Sequence, residues 1–391
     1  MKRVAGHTVV KGLVSCGITL VIAAAVGLVS TLGRAPESWP LCKPSVGKCS
    51  LDFPATDEEW RVLAAKCMLI SPPSVSQLLH GWRLWAVYDS LEPVSPVGQM
   101  IRPAETQYHL AERALLDGAR LPALFPTGTE LFRRAPAGLS VLRKNRQSGS
   151  QLDGESHPGE LLSTLAECRI RLDHPIRLEG AQFTVNDIVR QTAYDFDGRS
   201  ECEFHAVGLA YYLAHAGGFS NAAGQFVSFD DVMRRLIDTT FGDGTCQGTH
   251  VCYAIAALLR LDRGQPFLSD QSREQGCAYL ERVAASLMGS QHEDGAWRLD
   301  WPSGLRSKSP EGVGACWGEA VRVTGHHLEW MVLRPQPPLE TPRLHQAIAF
   351  LIARLRDQDE DEVRVSYTDW SHAVRALALW REACRRDGRN S

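Results

Sequence analysis

Five segments of the chain repeat one pattern, a histidine followed by an apolar run rich in alanine and leucine. The histidines are His157, His205, His250, His326 and His372, and they are separated by 48, 45, 76 and 46 residues. Typical runs are HAVGLAYYLAHA from His205 and HVCYAIAALLRL from His250. A recurring period of about 45 residues predicts repeated helical hairpins.

Amphipathic segments lie between these apolar runs. They are TVNDIVRQTAYDF, SFDDVMRRLIDTTF, SREQGCAYLERVAASLMGS and ETPRLHQAIAFLIARLRDQ. A helix that is apolar on all sides needs other helices around it, whereas a helix with one polar face borders water. The alternation therefore predicts an all-α fold, an α/α toroid of alternating inner and outer helices. An open helical solenoid is the competing arrangement.

The repeats place the toroid over residues 157–386. Residues 57–135 contain further helical patterns, and residues 136–156 are polar and rich in Gly and Ser, which favours a linker loop. The long gap before His326 contains an insertion of about 30 residues, 291–324, rich in Gly, Ser and Trp. It is expected between an outer helix ending near Gly289 and an inner helix starting near Gly325.

An uncharged apolar run covers residues 12–33, and three basic residues precede it. The run exceeds the roughly 20 residues that span hydrocarbon and the length of a cleaved signal's apolar region. We therefore expect residues 1–33 to form a short cytoplasmic tip followed by a transmembrane anchor. The chain is then a single-pass membrane protein with its main domain, residues 34–391, outside the cytoplasm.

A Pro-rich stalk, residues 34–56, follows this predicted anchor. Within it, Cys42 and Cys49 flank the short segment KPSVGK and are candidates for a disulfide in an oxidising compartment. The formal net charge of −3 and the pI near 6.5 argue against nucleic acid as a partner. The membrane is the one partner that the sequence identifies.

The stretch QHEDGAW places Gln291, Gly295 and Trp297 at spacings of four and two residues. Behind the helical run CAYLERVAASLMGS, it resembles the QW motif of squalene and oxidosqualene cyclases. GTCQGTHVCYAIAALL and TGHHLEWMVL are also similar to uncharacterised squalene-cyclase-like bacterial proteins. The resemblance covers about 157–386 and implies the toroid of terpenoid cyclases and protein prenyltransferases. It also implies a structural role for the three residues, with the Gln capping an outer helix and the Trp fixing the loop.

A terpenoid cyclase would be expected to contain Asp-x-Asp-Asp to protonate an alkene, or Asp-Asp-x-x-Asp to bind diphosphate through magnesium. The sequence contains neither pattern. Asp230 and Asp231 come closest, but they open an outer helix, where carboxylates complement the helix dipole. The sequence therefore argues against terpene cyclisation.

Asp243 and Cys246, together with His326 or His250, resemble the zinc ligands of protein prenyltransferases. Those enzymes use an Asp and a Cys close in sequence and a His from a later inner helix. The spacing between Asp243 and Cys246 is one residue longer than in that family. A zinc site built from these residues is a hypothesis, and the sequence identifies no cofactor.

The five repeated histidines are expected at the N-terminal ends of inner helices, which gather at one mouth of a toroid. Each could be a cap or a packing residue, and together they could bind a metal or shuttle protons. The same mouth is expected to receive the acidic residues before His205 and the tryptophans of the insertion. These are Glu201, Glu203, Trp297, Trp301 and Trp317.

Two main functions remain open at this point, besides a third possibility suggested by the anchor, a toroid that acts on bilayer lipid or isoprenoid through an aromatic-lined tunnel opening toward the membrane. One is a protein that binds a ligand or a partner at the toroid mouth. The other is an enzyme of the terpenoid-cyclase or prenyltransferase type that uses a His/Cys/Asp site, with or without a metal. Three or more of the His, Cys and acidic side chains within ligand distance would favour the enzyme. Scattered histidines around an apolar or plugged centre would favour the binding protein.

Overall fold

The computed structural model describes residues 53–68, 74–89, 101–117, 130–143, 154–178, 180–198, 201–239, 246–304, 317–334 and 341–388. All of them belong to one compact unit, Ser38–Ser391. The predicted anchor at residues 12–33 and the predicted Cys42–Cys49 disulfide lie outside these residues. Within the described ranges, no helix is both long enough and apolar enough to cross a membrane.

The described part of the chain is mostly helical, with 13 helices and a few short strands, which confirms the predicted helical class. The helices are α1 (Asp57–Ala65), α2 (Val75–Asp89), α3 (Ile101–Leu116), α4 (Glu160–Glu167), α5 (Val185–Asp195), α6 (Glu203–Leu213), α7 (Phe229–Asp238), α8 (Thr249–Gly264), α9 (Asp270–Ser290), α10 (Trp317–Leu333), α11 (Thr341–Asp357), α12 (Glu360–Val365) and α13 (Tyr367–Gly388).

Six of these helices contact one another in a closed series. Along the chain, α2 contacts α4, α4 contacts α6, α6 contacts α8, α8 contacts α10, and α10 contacts α13, which contacts α2 again. These helices are buried on nearly all sides: all of α4 is buried, and so is Thr249–Asp262 in α8. We call them the inner helices. Helices α5, α7, α9 and α11 contact the series and keep one polar face, as the alternation of sequence patterns predicts.

Helix α2 belongs to the closed series although it lies outside the repeated period. Its sequence predicts a helix within residues 57–135, but its histidine, His80, lies 77 residues before His157, well beyond the period of about 45 residues. Trp82 and Trp85 are at most 1% exposed, because α2 has α3, α4 and α13 around it. The segment 57–135 therefore contributes one wall of the helical core.

Two of the inner helices begin earlier than the sequence indicated, α10 at Trp317 and α13 at Tyr367, ahead of His372. Helix α10 begins at Trp317, so the last part of the predicted insertion, 317–324, is helical and Gly325 lies within the helix. Ala320, Val321 and Val323 are buried and extend the packed face ahead of Gly325. A Cβ on Gly325 would lie 2.8 Å from the backbone nitrogen of Ala373, so this glycine permits a close approach of α10 and α13.

Three antiparallel hairpins accompany the helices in the described ranges, although the sequence shows almost no strand signal. They pair β1 (Phe132–Ala135) with β2 (Gly138–Val141), β3 (Pro175–Leu178) with β4 (Ala181–Thr184), and β5 (Gly218–Ser220) with β6 (Phe226–Ser228). Strand β2 falls within the range predicted as a linker loop. Strands of three or four residues are too short to show a clear alternation of apolar and polar side chains.

Two of these hairpins lead from an inner helix into an outer helix. The last residues of their second strands, Thr184 and Ser228, are also the N-caps of α5 and α7. Each N-cap forms a capping box with an aspartate three residues later, Asp187 or Asp231. Asp231 therefore caps a helix, which agrees with the structural role predicted for the Asp230–Asp231 pair.

Candidate metal centre

Five histidine rings form a row in space at one end of the inner helices, each ring packed against the next. Ring centroids are 5.0 Å apart for His157 and His250, 4.8 Å for His250 and His326, 3.8 Å for His326 and His372, and 4.8 Å for His372 and His80. We call these five residues the histidine row. The row brings together four of the five histidines of the repeat and adds His80 from α2.

The fifth histidine of the repeat, His205, lies apart from the row. It packs against the loop after His157, where a Cβ on Gly159 would lie 2.2 Å from His205 Cδ2. The preceding residue, Phe204, takes the place at the row, 5.7 Å from the His157 ring and 4.9 Å from the His250 ring. Burial lowers the pKa of His205 to about 4, so this histidine is neutral at neutral pH.

The positions of His326 and His372 correct the expectation that all five histidines begin inner helices. His250 is the second residue of α8, and His157 precedes α4 in a loop. His326 and His372 lie inside α10 and α13, which begin at Trp317 and Tyr367. The rings converge because their helices are packed side by side, and not because each ring marks a helix start.

Cys246, His250 and His326 form a set of metal donors. One ligand atom from each of the three lies within 4.8 Å of the others. We call this set the first donor group. Cys246 is a free cysteine. Asp243, the remaining member of the predicted zinc site, lies outside the described residues.

The backbone before α8 is held in an unusual conformation that positions Cys246. Cys246 and Gln247 have φ values of 51° and 54°, and Gly248, the N-cap of α8, follows with a φ of 76°. Non-glycine residues in the left-handed region cost about 1–3 kcal/mol and persist only where their surroundings impose them. Two in succession place the thiol at the N-terminus of α8, beside His250 and His326.

Cys246 and His326 change each other's protonation. Burial alone would raise the pKa of the Cys246 thiol, but its hydrogen bond and charge interaction with His326 outweigh burial and lower that pKa. In the same way, burial disfavours the imidazolium of His326, but Cys246 and Glu329 overcome it and raise its pKa to about 9. The thiol is therefore prepared for the thiolate form, which is the form that binds metals.

His250 is buried in surroundings that offer its ring nitrogens no hydrogen bond among the described residues. Its side chain is 4% exposed, and neither ring nitrogen has a hydrogen-bond partner in the described part of the chain. Burial and the neighbouring His326 lower its pKa well below the usual range, so the imidazole is neutral. A buried polar group without a partner costs about 1–3 kcal/mol, and a metal ion would supply the missing partner.

Glu329 lies against the histidine row and orients two of its members. Its Oε2 accepts a hydrogen bond from His372 Nδ1 at 2.9 Å and lies 3.4 Å from His326 Nδ1. Charge interactions with His372 and Arg375 hold the pKa of Glu329 well below its usual range despite burial. Because Nδ1 of His326 faces this carboxylate, its Nε2 is the nitrogen that would bind an ion after losing its proton, as in carboxylate–histidine–zinc arrangements.

Four fully buried charged residues lie next to the row and balance one another. Arg375 donates to Glu329 Oε1 at 2.7 Å and to Glu167 Oε2 at 2.9 Å, and Arg83 donates to Glu167 Oε2 at 2.9 Å. Both guanidinium groups also lie over the ring of Tyr253. We call Arg83, Glu167, Glu329 and Arg375 the buried charge cluster. Two positive and two negative groups give it no net charge.

Two further donor groups share residues with the first. His157, Glu201 and His250 form the second donor group, and His326, Glu329 and His372 form the third, again with donor atoms within 4.8 Å. Glu203, the other predicted acidic residue, is 5% exposed, and burial raises its pKa. Glu203 is not a member of the donor groups found among the described residues.

The described tryptophans of the insertion pack against His327 rather than against the row. Ring centroids are 5.7 Å apart for Trp297 and His327 and 4.7 Å apart for Trp301 and His327. Both tryptophans are at most 1% exposed. They therefore stabilise the base of the insertion. The side chain of Trp317 lies outside the description.

The QHEDGAW stretch joins α9 to α10 and α11. Trp297 Nε1 donates to Leu287 O near the end of α9 at 3.0 Å, and its backbone N–H donates to Thr324 in α10. Gln291 Nε2 donates to Gly295 O and to Arg343 O, each at 2.9 Å. The tryptophan, and not the glutamine side chain, thus satisfies the helix end, while the glutamine connects the loop to α11.

The sequence interpretation missed most residues of the buried charge cluster and His80. Glu329 was accessible from the sequence, because it follows His326 by three residues and therefore lies on the same helix face. Arg83, Glu167 and Arg375 lie in apolar helical runs, where a single charge gives no signal of its buried partners. No family model, curated protein or solved structure matches this chain.

Proposed function

We propose that this protein is a metalloprotein, and that Cys246, His250 and His326 hold a zinc ion with an open coordination position. The observation that carries the proposal is the first donor group, in which three donor atoms lie within 4.8 Å of one another. The two ring nitrogens of buried His250, which have no hydrogen-bond partner among the described residues, support it independently. The ligand at the mouth, left open by the sequence, is then a metal ion.

The chemistry of the donors fits zinc better than magnesium or calcium. Thiolate and imidazole are the ligands that zinc prefers, whereas magnesium and calcium take oxygen ligands. Three protein ligands with a free fourth position are typical of catalytic zinc sites, and structural sites are closed by four ligands. This favours the enzyme hypothesis, because a zinc ion held by these three residues would leave a position at which water could be activated for attack.

The fold and location that we propose agree with this centre. We infer an α/α toroid, supported by the closed series of inner helices and the ring of outer helices that contact it. We also infer an anchor at residues 12–33, supported by the length and apolar character of that run. The protein then presents its centre outside the cytoplasm. Carbonate extraction of membranes and protease accessibility of residues 34–391 test this topology.

Metal analysis of the purified full chain tests the centre. We expect about one or more zinc ions per chain in the wild type, and loss of the ion at the first donor group in the variant His250→Ala/His326→Ala. His205→Gln is the matched control, because His205 is a half-buried histidine outside the row. Circular dichroism confirms that each variant is folded. A wild-type protein that holds no metal after expression with zinc would refute the proposal, as would a double variant that keeps all of its metal.

A cysteine nucleophile is a second candidate function for the same residues. It is favoured by the left-handed backbone at Cys246 and by the succession Cys246–His326–Glu329, in which a nucleophile meets a base that a carboxylate orients. In that case the protein contains no metal, and Cys246 reacts rapidly with iodoacetamide near neutral pH. Glu329→Gln should then slow the alkylation. Slow alkylation of a metal-free wild type would exclude this candidate.

A further inference from the structure

The second donor group, His157, Glu201 and His250, lies on the more exposed side of the first. His157 Nδ1 is 3.0 Å from Glu201 Oε1, and both side chains are 25% exposed. His157 precedes α4, and Glu201 precedes α6, so two loops bring them to the N-terminus of α8, where His250 lies. Solvent therefore reaches this group, whereas His250 and His326 are each 4% exposed.

His250 belongs to both the first and the second donor group. Its ring is 5.0 Å from that of His157 on one side and 4.8 Å from that of His326 on the other. A single ion would occupy only one ring nitrogen and would leave the second buried without a partner. Both nitrogens lack a hydrogen-bond partner among the described residues. One ion would therefore supply a partner for one of the two nitrogens only.

We infer that His250 bridges two divalent transition-metal ions, one held with Cys246 and His326 and the other held with His157 and Glu201. This inference rests on the proposed function, since it shares His250 with the zinc centre. When the second ion binds, the remaining N–H proton of His250 passes to the solvent, and the resulting imidazolate coordinates both ions. The second ion has two nitrogen ligands and one carboxylate, a set that suits zinc and its first-row neighbours.

The third donor group does not qualify as a further site. Glu329 already accepts from His372 at 2.9 Å and from Arg375 at 2.7 Å, so both of its oxygens are engaged. A fully buried guanidinium supplies the positive charge that this carboxylate needs. An ion at Glu329 would have to displace Arg375, and in the described part of the chain Glu167 is the one other carboxylate that Arg375 contacts. The third group therefore orients His326 and leaves two positions for ions.

The experiment measures metal stoichiometry and cobalt spectra on the full chain. The wild type is expected to bind about two ions per chain, whether zinc or cobalt. In Glu201→Gln, the stoichiometry falls to about one, and the sulfur-to-cobalt charge-transfer band from Cys246 remains. In Cys246→Ser, that band disappears. Glu203→Gln is the matched control, because Glu203 is a neighbouring acid outside the donor group, and it keeps about two ions.

The possible outcomes separate this inference from the proposed function. A wild type with one ion and an intact charge-transfer band would overturn the second position and leave the zinc centre in place. A wild type without any ion would overturn both. Two ions that persist in both Glu201→Gln and His157→Gln would also overturn the inference, because the second ion would then lie elsewhere. The number of ions bound by the wild type is the first test of the inference, and it does not require that any variant folds.

Discussion

Replacing Arg375 with methionine tests whether charge balance inside the helical core stabilises the fold. Arg375 is 2% exposed and donates to Glu329 at 2.7 Å and to Glu167 at 2.9 Å. Methionine fills a similar length without a charge, so the variant leaves Glu167 and Glu329 with Arg83 as the one remaining guanidinium of the buried charge cluster. Removing one partner of a buried ion pair costs about 3–5 kcal/mol. We expect Arg375→Met to lower the free energy of unfolding by that amount.

An exposed arginine with nearly the same bonds provides the control. Arg364 donates to Asp361 at 2.7 Å and to Glu360 at 3.0 Å, but its side chain is 42% exposed. Exposed ion pairs contribute about 0.2–1 kcal/mol. Arg364→Met should therefore cost less than about 1 kcal/mol. The two variants differ in burial and hardly in bond length, so the difference between them isolates the effect of burial.

The measurement is denaturant-induced unfolding followed by circular dichroism, with the double variant Arg375→Met/Glu329→Gln included. The double variant restores charge balance, since it leaves the pair of Arg83 and Glu167. It should be more stable than the sum of the single effects implies, with a coupling of about 1–3 kcal/mol. Equal losses in Arg375→Met and Arg364→Met would refute the reasoning, and so would additive losses in the double variant.

Three further predictions concern single residues. His205 has a pKa of about 4 in place of the usual 6.5, so the unfolded chain binds the extra proton and stability is lost as pH falls from 6.5 to 4. The free energy of unfolding falls by about 3 kcal/mol over this pH range. Unfolding curves of His205→Gln measured at the same pH values should not show this decrease. Gly295→Ala should be more destabilising than Gly217→Ala in the same assay: both glycines have positive φ, but only at Gly295 would a Cβ lie 2.4 Å from a backbone oxygen of α11. Trp297→Phe, which loses the hydrogen bond to Leu287 O, should cost about 1–2 kcal/mol, and an unchanged melting temperature would contradict this.

The helical class and the outer helices could be predicted from the sequence because each has a strong local signal. The amphipathic period and the caps at Thr184 and Ser228 are both local, and the structure has helices at both places. Helix α2 shows why the closed series was harder to predict. Its helical pattern was visible, but its contacts with α4 and α13 depend on the return of a chain segment almost 300 residues away.

The candidate site was partly predictable for a related reason. Repetition brought four of the five histidines into the row, since equivalent positions of packed helices meet at one end. The prediction for His205 was wrong because successive residues of a helix point about 100° apart, and Phe204 faces the row instead. The buried charge cluster could not be predicted, because its members lie on four different helices and pair only after the helices pack.

Glu329 connects the buried charge cluster to the candidate metal centre, so substitutions of Arg375 and of Glu329 should also change zinc affinity. Its Oε1 faces Arg375, and its Oε2 faces His372 and His326. Arg375→Met removes a positive charge near the position proposed for the ion and should raise zinc affinity, whereas Glu329→Gln removes the group that orients His326 and should lower zinc affinity about 10–100-fold. Both variants destabilise the fold, so a general loosening would lower affinity in both. Competition with a chromogenic chelator measures the two affinities, and only opposite signs support an electrostatic connection through Glu329.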